Sequence, residues 1–580
     1  MEQPRKSITG ERRREFEGYL SIITLVGCAG IVLYKLLLTR RINVNWDEFW
    51  FLSFVHTMLR NELMPLLQSA YTHLFTWLPL VGANEVDQVV AARMVMLALL
   101  GLTAWLIWRL SALFFDGFAA VAPPFVYLTM IPVMMHGGSF RSDSLLAPLL
   151  MTATLLLAAP GRSRRNDVLA GGAIGLAAAV TVKILLFAPM LLVLILTVRR
   201  GNDAAGRNGI ALPLRSMLRV GAAATIAACI VIAAHAVSIS GSDHTAASAI
   251  QSESLTRFAA RTASVTVFEP GLFPRGRFLT IYANWQPLPW LLIALGAITA
   301  AYRRRFDLLA LALAMLPITF YRNAYPYFYV VMLAPASVLV GHSIATVSEY
   351  VESKGPIFAR QIFTLVLALG LAYQGLLPAA RFLQDTQSNQ REIVAGVHEI
   401  FPDPVNYIDR CGMISSYRKA NFFMSSWGIT EYKATGTPVM QAIAQDAKPA
   451  FVIMNVSALA TTRPSDHGLL EVDRIFLQRS YSRYWGPIKV AGGTGELSTD
   501  RPGSIDIPFA ADYRVETPVP VQIDGVVRRP GEVFAVTGRV AISPVAGYEP
   551  AKPTAIRLVL ASARPPPPQE PPREEIFTGL

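Results

Sequence analysis

Four groups of ionisable residues stand beside long apolar runs in this 580-residue chain. Asp47 and Glu48 open the stretch WDEFWFLSF just beyond the first apolar run, Arg141 and Asp143 lie in HGGSFRSDSLLAP, Lys183 interrupts VTVKILLF, and Arg322 lies in YRNAYPYFYV. A charge near the centre of a bilayer costs on the order of 2.5–3.5 kcal/mol, and less near the interface, where long side chains snorkel. Taken singly, each group has a plain structural explanation. Asp47 and Glu48 fit the acidic first turn of a helix, Asp143 fits a helix cap with Arg141 as its ion partner, and Lys183 and Arg322 fit snorkelling cations. As a set they make chemical sense: cations neutralise a phosphate, and a carboxylate deprotonates an incoming hydroxyl or amine. A sugar linked to a lipid phosphate needs both at a membrane surface, because its phosphate is the leaving group.

No glycine-rich nucleotide loop and no strong cluster of metal ligands accompanies these residues. His56 and His136 are isolated histidines, suited to interfacial hydrogen bonding or to ligation. No cofactor is therefore assigned, and a divalent metal stays open. Cys28, Cys229 and Cys411 have neither a metal-site spacing nor the pattern of a disulfide framework.

Composition sets the elements that must hold these residues. With 53% apolar and 16% charged residues and a mean hydropathy of +0.40, the chain is a polytopic membrane protein. Its net charge of +12 comes from short Lys/Arg clusters between apolar runs, not from the aromatic-interleaved basic face of a nucleic-acid binder. Apolar runs predict about eleven spans, near 19–39, 88–109, 117–135, 144–160, 168–182, 184–198, 217–238, 287–302, 307–321, 326–346 and 361–380. The first run ends in Thr39-Arg40-Arg41 without a small-residue cleavage site, which predicts a retained helix. The Arg-rich segments GRSRRND (161–167) and 199–219 both read as cytoplasmic, so an even number of crossings must separate them. Two short helices meeting at Lys183 satisfy that requirement. The same rule places the N-terminus in the cytoplasm of an inner (plasma) membrane protein, and the segment after Ala380 on the extracytoplasmic side.

That last segment has ordinary polarity and many Pro and Gly. The expected organisation is a transmembrane domain over 1–384, an extracytoplasmic α/β domain over 385–500, a β-rich subdomain over 501–562 and a disordered Pro-rich tail over 563–580. VPVQIDGVV reads as a hairpin around Asp-Gly.

Several short motifs carry a resemblance. Trp46-Asp47-Glu48, Ala91-Ala92-Arg93, Phe140-Arg141-Ser142-Asp143, Thr181-Val182-Lys183 and Arg322 with Tyr325-Pro326-Tyr327 follow the order seen in the GT-C membrane glycosyltransferases that use polyprenyl-phosphate sugars. This broad group contains protein O-mannosyltransferases and the aminoarabinose transferases that modify lipid A, and the likeness covers roughly residues 40–345. It implies an α-helical polytopic GT-C-like fold and an inverting transfer of a hexosyl or pentosyl group on the extracytoplasmic face. The partners implied are a polyprenyl-phosphate-linked sugar, membrane lipid, and an envelope glycan, lipid or protein acceptor. Carried over residue by residue, Asp47 is the base, Glu48 its partner, Asp143 a second cavity acid, Lys183 and Arg322 phosphate contacts, and Arg141, Tyr325 and His56 further substrate-binding residues. No WWDYG-type acceptor motif is present. A transporter or flippase for an envelope precursor would also carry charges in its bundle, but it requires a repeated helix pattern and charges at the midplane. A scaffold gives the carboxylates no role.

Overall fold

The computed structural model describes residues 3–63, 66–197, 211–239, 267, 271–356, 358–379, 386–459, 468–497, 503–545 and 554–577. The expected boundaries at 384/385 and 500/501, and the Arg-rich segment from Arg199 to residue 210, lie outside the described residues. The chain forms two compact units: one of Met1–Arg40, Met58–Phe75 and Val90–Gln384, the other of Arg41–Thr57, Thr76–Val89 and Asp385–Leu580.

The first unit is helical. Each expected span falls on helix, yet among the described residues only Glu15–Leu38, Glu85–Ser111, Pro213–Ile239 and Ala359–Leu376 are individually long and apolar enough to cross a membrane. Pro326–Ala336 and Val338–Lys354 qualify as a pair bent by 45°. The remaining apolar helices are shorter, and the interruptions have local causes. Extended Met130 separates Phe118–Thr129 from Ile131–His136, which carries a proline in its first turn. Thr181, also extended, ends Arg164–Val180 and starts the 3₁₀ segment Val182–Phe187 that leads into Ala188–Thr197. Two short helices therefore flank Lys183, as the basic segments require.

Helix Arg164–Val180 lies almost backbone to backbone against Ala211–Ile239. A Cβ added at Gly171 would come within 2.5 Å of the Val220 carbonyl oxygen, and one at Gly175 would come closer still to that of Ala224. Small residues at a four-residue spacing let helices approach where lipid leaves no hydrophobic driving force between them.

In the second unit, β1 (Asn406–Ile408), β2 (Arg418–Lys419), β3 (Phe451–Ile453), β4 (Tyr481–Trp485) and β5 (Ile488–Ala491) form a mixed sheet of order β2-β1-β3-β5-β4. β1 pairs in parallel with β2 and β3, and the other pairings are antiparallel. Helices Ser388–Ile400, Ser426–Thr435, Met440–Ala447 and Glu471–Ser480 accompany this sheet, which gives the expected α/β part. The β-rich part has two four-stranded antiparallel sheets. The expected hairpin joins Val521–Ile523 to Val526–Arg528 through Asp524 and Gly525. Both turn residues have positive φ, 45° and 82°, as a type I′ turn demands.

Two features depart from expectation. Residues 41–57 and 76–89 belong to the second unit rather than to the helical one. Residues 563–577, expected to be disordered, are packed: Ile576 is buried, Asn389 bonds the Arg573 and Glu575 backbone, and Phe577 meets Trp46 and Phe49 edge-on. Prolines preset an extended backbone with little entropy left to lose, and Ile576 and Phe577 then act as apolar anchors.

Gly175→Val should lower the unfolding free energy of the detergent-solubilised protein by about 1–3 kcal/mol through overpacking against Ala224 and Ala227. Gly172→Val, which meets nothing within 4 Å, should stay within about 0.5 kcal/mol of the parent. Thermal unfolding followed by size-exclusion chromatography distinguishes the two.

Candidate active site

The first unit gathers Arg141, Asp143, Lys183 and Tyr327. Extended Arg141 immediately precedes helix Ser142–Ala158, so Asp143 occupies its first turn. Lys183 comes from the 3₁₀ segment, where Thr181 Oγ1 accepts its backbone N–H at 3.4 Å. Lys183 Nζ lies 2.7 Å from one oxygen of Asp143, and Arg141 Nε lies 3.5 Å from the other. The Arg141 guanidinium is stacked on the Tyr327 ring at 3.6 Å, and Lys183 stands 5.4 Å from the same ring. Arg141 and Asp143 are buried, while the Lys183 side chain keeps 17% exposure.

The Tyr325-Pro326-Tyr327 segment extends this surface. Tyr325 stacks on Tyr327 at 5.9 Å, Arg275 lies over Tyr325 at 4.9 Å, and His136 meets Tyr327 edge-on. Arg322 bonds the Val267 carbonyl through its backbone N–H. It follows Tyr321, which lies within electrostatic reach of Asp143 and Arg141.

The second unit holds the other acids. Asn45, Asp47 and Glu48 form a capping box at the start of Trp46–Leu59: Asn45 Oδ1 accepts the Asp47 N–H at 2.8 Å, and Glu48 Oε2 accepts the Asn45 N–H at 3.0 Å. Glu48 is fully buried and folded back on its own helix start, whereas Asp47 is half-exposed. Beside it, the Arg410 guanidinium lies 3.8 Å over Trp46 and within electrostatic reach of Asp47. His56 Nε2 is 2.7 Å from Gln88 Oε1. Lys419, near the Trp50 ring, is lowered to about 8 by burial.

No protein-family model matches the sequence, and no curated protein matches it. Among solved structures, ArnT from Cupriavidus metallidurans bound to undecaprenyl phosphate aligns with a TM-score of 0.50 at 14% identity, over 76% of this chain and 95% of its own. The fold is GT-C. The oligosaccharyltransferase of Archaeoglobus fulgidus aligns over 91% of this chain and 75% of its own, at 12% identity and a TM-score of 0.48. Arabinosyltransferase EmbB from Mycobacterium smegmatis gives 12% identity and a TM-score of 0.35 over 94% of this chain and 63% of its own.

Within the first unit the cluster is cationic overall, with one carboxylate between two positive charges. Such a cluster can receive a phosphate, which supplies the second negative charge and acceptors for the remaining N–H donors. Among the described residues, no three His, Cys, Asp or Glu side chains gather as metal ligands.

Three contributors were missed in the sequence. Lys35, buried in the first helix, donates from Nζ to the Val133 and Met134 carbonyls at 2.8 and 2.6 Å, just ahead of the loop that carries Arg141. Its signal was a lone charge inside an apolar run. Glu85, fully buried, takes His398 Nε2 at 3.0 Å and the Ser416 N–H at 3.1 Å. Arg410 lies more than 350 residues from Asp47, and only the folded chain brings them together.

Asp143→Ala should destabilise the protein by about 3 kcal/mol, because it leaves the buried Arg141 and the partly exposed Lys183 without the carboxylate they share. Adding Lys183→Met to it should recover a substantial part of that loss. Thermal unfolding of the two single variants and the double variant supplies the cycle.

Proposed function

We propose that this chain moves a hexosyl or pentosyl group from a polyprenyl-phosphate donor to an envelope lipid, polysaccharide or protein on the extracytoplasmic face. The observation that carries this reading is the Lys183–Asp143–Arg141 cluster on Tyr327 in a GT-C fold, two cations around a single carboxylate that a phosphate can join. ArnT, the structural relative described above, binds undecaprenyl phosphate.

In this reading Lys183 and Arg141 hold the donor phosphate, with Arg322 as a further cation, and Tyr325 and Tyr327 flank it. Asp143 keeps the two cations in place and limits the desolvation cost of holding them ready. The acceptor hydroxyl or amine attacks the anomeric carbon as the bond from that carbon to the phosphate oxygen breaks. The electron pair leaves on polyprenyl phosphate, where the cations stabilise the developing charge. Asp47 takes the acceptor proton. One displacement inverts the anomeric centre. Glu48 serves by fixing the helix start that presents Asp47, and His56 with Gln88 braces the same helix.

Asp47→Asn should reduce turnover by about 10²–10⁴-fold with expression and donor binding retained, as loss of a positioned base requires. Glu48→Gln should keep most of the turnover, since Gln still completes a capping box. The assay is sugar transfer by purified protein from a lipid-linked donor. Full activity of Asp47→Asn would remove Asp47 from the mechanism.

A further inference from the structure

Helices Arg164–Val180 and Ala211–Ile239 run parallel, because Gly171 faces Val220, Ala223 and Ala224 while Gly175 faces Ala224, Ala227 and Ala228. Their starts therefore lie side by side, at the opposite end of Arg164–Val180 from Lys183 and about 25 Å from it by the rise per residue. The chain is strongly basic here. Residues 158–170 and 211–220 contain Arg162, Arg164, Arg165, Arg215 and Arg219 against one acid, Asp167.

Two of these arginines are structural. Asp167 is buried, with Arg162 Nε at 2.8 Å from one oxygen, and with Arg219 Nε at 2.9 Å and Ser216 Oγ at 3.0 Å from the other. Arg162 also donates to the Leu157 carbonyl at 3.4 Å, which ties in the end of helix Ser142–Ala158. The carboxylate is thus committed to the joint between the helices. Arg164, Arg165 and Arg215 stay outside it, with exposed side chains and no carboxylate partner among the described residues.

These three do not serve the helices themselves. Arg164 and Arg165 occupy a first turn, where the helix dipole favours acids rather than cations. Three guanidiniums at one end of a helix pair also repel one another, so the patch is complementary to an anion. Its surroundings indicate what carries that anion. Val168 and Leu169 follow Arg164 and Arg165 by one turn, Leu214 and Leu218 flank Arg215 along the chain, and all four are about half exposed or more. Guanidiniums next to bare aliphatic side chains match an amphiphile, whose head lies at the arginines and whose chains run along the leucines.

We propose that Arg164, Arg165 and Arg215 bind the head group of an anionic phospholipid, in the leaflet that the basic segments assign to the cytoplasm. The guanidiniums donate to the phosphate oxygens, and the acyl chains lie against Val168, Leu169 and Leu218. The Arg162–Asp167–Arg219 joint holds the two helix starts at a fixed spacing. The site shares no residue with the Lys183–Asp143–Arg141 cluster and is independent of the chemistry proposed there.

The test is native mass spectrometry of the purified full chain with phosphatidylglycerol or phosphatidylcholine. The parent should retain phosphatidylglycerol in preference to phosphatidylcholine. Joint replacement Arg164→Gln, Arg165→Gln and Arg215→Gln should weaken that retention about a hundredfold, and Arg215→Gln alone, which leaves the 161–167 segment intact, about fivefold. Arg303→Gln with Arg305→Gln removes charge at another connection, where each arginine already has a carboxylate, and should leave retention unchanged. Should the triple variant fail to accumulate, Arg215→Gln compared with the Arg303/Arg305 control decides the matter. Equal retention of both lipids by the parent, retention of phosphatidylglycerol that Arg215→Gln does not alter, or equal losses in Arg215→Gln and the control would overturn the proposal.

Discussion

Two cations held in an apolar bundle repel each other and lose hydration, so they remain there only if something offsets both costs. In this chain Asp143 does so, with one oxygen on Lys183 and the other toward Arg141. Much of the first unit can be traced to that requirement. The chain must break helix at Met130 and Thr181 so that the loop before Ser142 and the turn at Lys183 meet, and Tyr327 must arrive from the 320–328 segment to cover the Arg141 guanidinium. Lys35 supports the arrangement from the first helix by satisfying carbonyls at the end of Ile131–His136. A buried ion cluster of this kind adds little net stability, and its retention fits a role in binding.

The glycine contacts near Val220 and Ala224 belong to the same economy of space. They bring Arg164–Val180 close to Ala211–Ile239, and the chain leaves Arg164–Val180 directly for Lys183. A positioned ammonium needs a rigid turn beneath it, and close helix packing supplies that rigidity without polar groups. In the second unit the corresponding device is the capping box, which sets the direction of Trp46–Leu59 and therefore of Asp47.

How much of this was legible depended on whether the signal was local. Apolar runs located every helix expected as a span, because period and length are written along the chain. The break beside Lys183 was legible from the basic segments around it, whereas the one at Met130 was not, since Met is not a strong breaker by type and tertiary contacts settle its conformation. The sequence reading makes Asp47 the base and Glu48 its partner, and Asn45-x-x-Glu48 already spells the capping box that occupies Glu48 at the helix start. The links of Glu85 to His398 and of Arg410 to Trp46 join residues hundreds of positions apart, and no local pattern announces them. The proline-rich tail misled because composition reported its backbone stiffness but not the anchors Ile576 and Phe577 at its end.

The central claim is that the carbon–oxygen bond between sugar and lipid phosphate is broken here. It is tested most directly by incubating the purified protein, reconstituted in vesicles, with a polyprenyl-phosphate sugar labelled in the sugar and with envelope acceptor fractions, while following both products. The account predicts that labelled acceptor and free polyprenyl phosphate appear in equal amounts, with the sugar inverted at its anomeric carbon. Labelled donor that crosses the vesicle membrane with its sugar–phosphate bond intact, and no labelled acceptor, would contradict it.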